Sequence, residues 1–275
     1  MDDFLARRTP GRLLLYYLGI VLTYALALSF LGQIPQLPLP LIFTTALLLA
    51  SCWAVDWVFA KTFGVKSKWE SVVATGLILS LIISPVAPDD FPGLMLPLFA
   101  ALWAMASKYA FAIDRKHLFN PAAFGVVLAM WITGHGASWW IGSSQWILPL
   151  VLAGGVLMTR KMRCLDLLLP FAAAALGVIL VTAPKAFVWL FVSETLLHSA
   201  FFFFAFVMLT EPRTLPFGRP WRMAFAVIVG LFYTPSMHIG ALRFAPETAL
   251  LLGNVFAFAA KWQKRRQTRL ARAFR

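Results

Sequence analysis

Three strings place polar side chains at breaks between apolar runs, where a buried helix end can hold a ligand. In Phe119-Asn120-Pro121-Ala122-Ala123-Phe124-Gly125, Asn120 suits an N-cap and Pro121 the first helical position. That pair is a complete account of a helix start. A helix that starts inside protein also aims free N–H groups at its surroundings, which suits phosphate or another anion. Thr210-Glu211-Pro212 and Ser84-Pro85 are matching polar breaks at other helix ends. None of them carries a nucleophile or general-base constellation, and no glycine-rich phosphate loop is present.

Polar residues within apolar runs are costly, so each is a functional candidate. Glu194 and His198 stand four residues apart and share a helical face. They form a hydrogen-bonded pair, line a polar cavity, or supply two ligands to a metal. Two ligands alone do not make a metal site, and no partner pair is visible. Asp56 reads as an acid near a membrane edge, paired with Lys61 or with a neighbouring helix. Asp166 follows Arg163 by three residues, a spacing that predicts an ion pair along one helix. The loop from Thr133 to Gln145 is rich in glycine, serine and tryptophan, and its tryptophans read as interface anchors or as stacking surfaces for an aromatic ring. Cys52 and Cys164 make no CxxC pattern, so neither a disulfide nor a cluster held by this chain alone is expected.

The elements that must position these residues are apolar. The 275 residues are 61% hydrophobic and only 13% charged, about half the charge of a soluble domain, so lipid is the expected solvent. Ten hydrophobic segments can be drawn, at roughly 13–30, 40–60, 71–86, 93–108, 121–133, 145–158, 166–183, 187–209, 223–235 and 246–260. If every segment crosses and Arg7, Arg8 and Arg12 lie in the cytoplasm, all but Lys185 and Arg243 of the 24 lysines and arginines fall inward. The expected chain is a single integral domain over 1–275, with both termini cytoplasmic and a basic cytoplasmic tail at 261–275. The first segment lacks a small-residue cleavage site before it and reads as a retained helix. The net charge of +13 sits at membrane edges, where anionic lipids rather than nucleic acid are the partner.

A full crossing takes about 20 residues, and several segments are shorter. Proline placement favours real helix breaks buried in protein. The breaks also echo one another. ISP ends at Pro85 and FNPAAFG starts a helix at Pro121; TEP ends at Pro212 and FAPETALLLG starts one at Pro246. With five segments before residue 140 and five after, the halves 13–135 and 145–260 have opposite topology. The predicted fold is therefore an all-α polytopic membrane protein of about ten segments, some discontinuous, in a 5+5 inverted repeat.

Four strings occur in order across residues 70–260: Thr75-Gly76 to Pro85, Lys116-His117 to Gly125, Phe202 to Pro212, and Pro246 to Asn254. As an ordered set they resemble the membrane-subunit family shared by the sodium-pumping NADH:quinone reductase (its B subunit) and the Rnf electron-transport complex (its D subunit), the NqrB/RnfD family. The resemblance implies a multi-pass protein of the bacterial inner membrane with a role in flavin-linked electron transport. Redox partner subunits carrying flavin or iron–sulfur groups would then supply electrons, because this chain has no nucleotide-binding domain. Members carry FMN on the threonine of an SGAT-like motif. The nearest string here is His135-Gly136-Ala137-Ser138, with serine in the last place. The resemblance thus implies FMN or riboflavin held without a covalent bond, with Asn120, Thr210, Glu211 and Ser138 as the binding candidates. A channel or transporter for a small solute, or an assembly subunit without a site, fits the same scaffold.

Overall fold

The computed structural model describes residues 9–113, 116–142, 144–234, 238–239 and 242–273. Of the sorted cations, Arg7, Arg8, Arg115 and Arg275 lie outside the described residues. Helices occupy each hydrophobic segment: α1 Pro10–Phe30, α2 Pro38–Thr62, α3 Trp69–Ile82, α4 Phe91–Ala110, α5 Pro121–Thr133, α6 Leu148–Met162, α7 Leu168–Thr182, α8 Val188–Leu197, α9 Phe201–Phe203, α10 Arg219–Leu231 and α11 Pro246–Ala273. Prolines open α1, α2, α5 and α11, where the missing N–H costs nothing. Thr9, Asp90 and Asn120 cap their helices by accepting from Arg12 N, Gly93 N and Ala123 N. The 261–275 stretch, expected as a tail, continues α11 as helix to Ala273.

By length and composition, four helical stretches can cross a membrane: α1, α2, α4 and Leu165–Thr182. A fifth is a bent pair, Lys185–Leu197 and Phe201–Met208, which meet at 55°. The sequence predicts one continuous segment over 187–209; the structure breaks it. At the break Ser199 Oγ donates to the Thr195 carbonyl at 2.5 Å and accepts from Phe201 N at 3.2 Å, so a side chain takes over backbone partners. Beyond α9 the chain widens into a π-turn over Phe204–Met208.

The two short apolar helices are central. α3 has 14 residues and α5 has 13, about 20 Å of helix against a hydrocarbon core of about 30 Å. Most of α3 and the first half of α5 are buried, whereas α2, α7 and α8 expose Trp53, Trp57, Val181 and Trp189. Small residues set the closest crossings. A Cβ on Gly125 of α5 would stand 2.3 Å from the Ala100 carbonyl oxygen of α4. One on Gly230 of α10 would stand 2.5 Å from the Phe171 carbonyl oxygen of α7.

Contacts repeat between the halves. α2 packs on α4 and α7 on α10; α4 packs on α5 and α10 on α11; α1 packs on α3, and α6 on the Phe201–Met208 run. A two-residue antiparallel hairpin, β1 Ala112–Ile113 with β2 Lys116–His117, joins α4 to α5. Another, β3 His238–Ile239 with β4 Leu242–Arg243, joins α10 to α11.

One sequence expectation changes here and another resolves between its alternatives. Asp166 does not pair with Arg163: α6 ends there, Arg163 turns left-handed at φ 54°, and Asp166 instead accepts from Arg222 Nη2 of α10 at 2.7 Å. For Asp56 the neighbouring helix, not Lys61, is the partner. Tyr109 Oη of α4 donates to it at 2.8 Å and Ser67 Oγ also donates, while the Lys61 ammonium lies 5.3 Å from the Trp57 ring centre.

Candidate functional site

The helix breaks meet in two clusters. In the first, the start of α5 faces the turn that follows the π-run. Asn120 Oδ1 caps Ala123 N at 3.0 Å, which leaves its Nδ2 to donate to Glu211 Oε2 at 2.9 Å. The other carboxylate oxygen lies 2.6 Å from His117 Nε2, at the end of the first hairpin. A carboxylate only accepts, so Nε2 carries the proton. The backbone N–H of Asn120 donates to Asn254 Oδ1 of α11 at 2.8 Å, while Asn254 Nδ2 is buried and unpartnered among the described residues. Folding thus brings together Asn120 and Glu211, 91 residues apart and from opposite halves of the chain. Thr210 is buried beside them, but its hydroxyl donates to the Phe206 carbonyl at 2.6 Å, within its own turn.

Cations surround this carboxylate. Lys108 Nζ, from the last turn of α4, donates to Ser71 O at 2.9 Å and to Ser71 Oγ at 3.2 Å. Arg213 Nη1 reaches the same Oγ at 3.3 Å. Lys261 of α11 donates to the carbonyls of Arg213 and Thr214, clasping the Glu211 turn. Burial pushes the Glu211 carboxyl up, but His117, Arg213 and Lys108 outweigh it and hold the group below its ordinary value. Glu211 is therefore an anion within a positive frame.

Two chambers open from the cluster. One, of about 340 Å³, runs past Asn120, Pro121 and Glu211 between apolar walls that include Leu14, Ile78, Met162 and Phe206. The other, of about 620 Å³, is lined by Asp56, Lys66, Lys68, Lys108, Tyr109 and His117 among others. Lys68, Ser71 and Arg213 belong to both walls.

The second cluster has the same parts in another state. Trp139 N and Ser138 Oγ donate to the Ile82 carbonyl at the end of α3, at 2.8 and 3.3 Å. Trp139 Nε1 donates to Glu247 Oε1 in the first turn of α11 at 2.8 Å, and Trp140 Nε1 donates to the Ser80 carbonyl at 2.9 Å. Glu247 and Trp140 are buried, and Ser138 is exposed. These two tryptophans are thus not interface anchors: their ring N–H groups need buried acceptors, and α3 and α11 supply them.

Glu194 and His198 lie apart from both clusters. Each is exposed, and the hydrogen bond joining them is from His198 N to the Glu194 carbonyl. Among the described residues no three His, Cys, Asp or Glu side chains gather as a metal site. Sequence reasoning did not single out His117, Lys108, Arg213, Ser71, Asn254 or Glu247. Asn254 and Glu247 carried a usable signal, a polar residue inside an apolar helix. The lysine and arginine had been absorbed into the charge sorting. No family model matches the chain, and no curated protein matches it.

Proposed function

We propose that this protein is a membrane subunit of the NqrB/RnfD type that takes part in flavin-linked electron transport and holds the flavin without a covalent bond. The observation that carries the reading is the cluster of Asn120 and Glu211 beside an apolar chamber of about 340 Å³. A flavin ring needs flat apolar walls and a few polar groups at its edge. Cavities of about 300–1,000 Å³ with a few convergent polar groups are the usual size for such ligands. Each Glu211 oxygen accepts one hydrogen bond and keeps a lone pair that can accept an imide N–H. Asn254 Nδ2 is a spare buried donor within the same cluster. A bound flavin would supply the electron chemistry; this chain would orient it, exclude water and set the field around it.

The matched helix contacts and paired hairpins support the reading of ten segments as a 5+5 inverted repeat, with the two breaks facing a common middle. Along α11, Glu247 and Asn254 are seven residues apart, about 10 Å of helix, so the two clusters are close neighbours in depth. The sorted cations support both termini on the cytoplasmic side of a bacterial inner membrane, with anionic lipids and redox subunits as partners.

One observation favours a second reading, a transporter for a small solute: one break opens onto chambers while its counterpart is filled. The absorbance spectrum of the purified protein, taken before and after acid denaturation, separates the two. A flavin band released on denaturation is the expected result. A colourless, homogeneous protein that stays colourless when incubated with flavin sinks the flavin reading and leaves the transporter.

A further inference from the structure

The chamber of about 620 Å³ keeps a positive wall after its internal partners are counted. Lys66, Lys68, Lys108 and Arg213 line it against a single carboxylate, Asp56, which already accepts from Tyr109 and Ser67. Among the described residues, neither Lys108 nor Arg213 has a carboxylate within 4 Å. Both reach the Ser71 hydroxyl instead, at 3.2 and 3.3 Å. A hydroxyl has two lone pairs and one proton. The two cations take both lone pairs, so the Ser71 O–H points away from them, and no described residue accepts it. Lys108 also donates to the Ser71 carbonyl, which leaves one ammonium N–H over, and most of the Arg213 guanidinium donors are unused. Ser71 stands in the first turn of α3, where the helix end adds positive potential. Three elements thus direct spare donors, two of them charged, into one space. That is the donor set of a phosphate seat.

The rest of the wall says what carries the phosphate. Lys108, Arg213 and Ser71 are half-buried, whereas the loop from α2 to α3 is exposed. Phe63 and Val65 of that loop line the chamber and are each 55% exposed. Cations in the depth and bare apolar side chains at the exposed wall match an amphiphile, with phosphate at one end and hydrocarbon at the other. Lys66 and Lys68, exposed in the same loop, oppose a headgroup that carries its own cation. We infer that Lys108, Arg213 and Ser71 bind the phosphodiester of one anionic phospholipid, whose acyl chains leave past Phe63 and Val65. This is a single built seat, distinct from the general attraction of basic loops to a membrane surface. It rests on the chain lying in a membrane and is independent of the flavin reading.

The test uses the full chain, stripped of lipid in a non-ionic detergent. Native mass spectrometry counts retained phosphatidylglycerol and phosphatidylcholine, and phosphorus NMR line broadening follows inorganic phosphate with short-chain forms of both lipids as competitors. Phosphatidylglycerol should be retained one per chain and should displace phosphate at about one-tenth the concentration that phosphatidylcholine needs. Charge-assisted hydrogen bonds predict that Lys108→Met weakens both phosphate and phosphatidylglycerol at least about tenfold. If Lys108→Met does not fold, Lys66→Glu replaces it. That position is exposed, so its thermal unfolding should match the wild type, while phosphatidylglycerol binding falls at least about threefold. Absence of both phosphate broadening and retained lipid overturns the seat, and so does binding that the folded variants leave unchanged. Phosphate binding that phosphatidylglycerol cannot displace overturns the lipid and gives the seat to a free anion. Equal displacement by the two lipids overturns the selection for an anionic headgroup.

Discussion

The two helix breaks use the same parts and reach opposite states. At the Asn120 break, the carboxylate of Glu211 comes from the opposite half of the chain, meets a histidine and an amide, and borders two chambers. At the Glu247 break, the carboxylate meets one indole N–H, and the tryptophan pair occupies the space between α3 and α11. A cavity at Gly142 and Ser199, among the described residues, is about 10 Å³, too small for more than a single water. What separates the breaks is what fills them: cations around an anion leave polar volume, whereas indole rings consume it. The first break thus has room that a ligand of the proposed kind would need, whereas at the second two indoles are hydrogen-bonded to buried acceptors.

An isosteric change gives the sharpest division between them. Glu211→Gln removes the charge that His117 and Asn120 answer, and breaking such a partly buried pair should cost about 3 kcal/mol. Thermal unfolding in detergent measures it, and a loss under about 1 kcal/mol would break the comparison. The next effect is expected from Gly142→Ala. A Cβ there would stand 2.1 Å from Ala200 N, so the bend at 198–200 must shift, at about 2 kcal/mol. Flavin or phosphate binding at the other break should survive that variant.

Glu247→Gln retains an oxygen acceptor for Trp139 and should change stability by less than about 1 kcal/mol, whereas Glu247→Leu strands a buried N–H at about 1–3 kcal/mol. If glutamine and leucine behave alike at position 247, the indole contact is not what holds the second break. The smallest effect is in acid. Glu211 is held below its ordinary value near 4.5, so its contribution is complete above that pH and is lost as pH falls through the lower, folded value. The wild type should therefore lose stability on acidification below about pH 4.5, and Glu211→Gln should lack that part of the slope. Parallel slopes in unfolding curves taken across this range would show that Glu211 is not the charged member of the pair.

Local signals explain what could be read along the chain. Asn120 with Pro121, and Pro246 after a turn, mark helix starts because capping and proline geometry depend only on adjacent residues. The break at 198–200 escaped the same reading, because Ser199 is a helix-compatible residue until Gly142 packs against its neighbour. Asn120 and Glu211 were legible as polar breaks; their contact was not, since 91 residues separate them. Lys108 and Arg213 looked like any charge at a membrane edge. Only the antiparallel packing of α4 on α3 and the turn after the π-run bring both to Ser71.

Composition and local pattern determined by themselves that the chain is an apolar helical protein with polar breaks at Asn120 and Glu211, because transfer free energy and capping are properties of neighbouring residues. Tertiary structure alone decided which carboxylate stands among cations and which is sealed by tryptophan. That outcome depends on which distant helix ends are pressed together, and pairwise contact across a hundred residues leaves no periodicity to read.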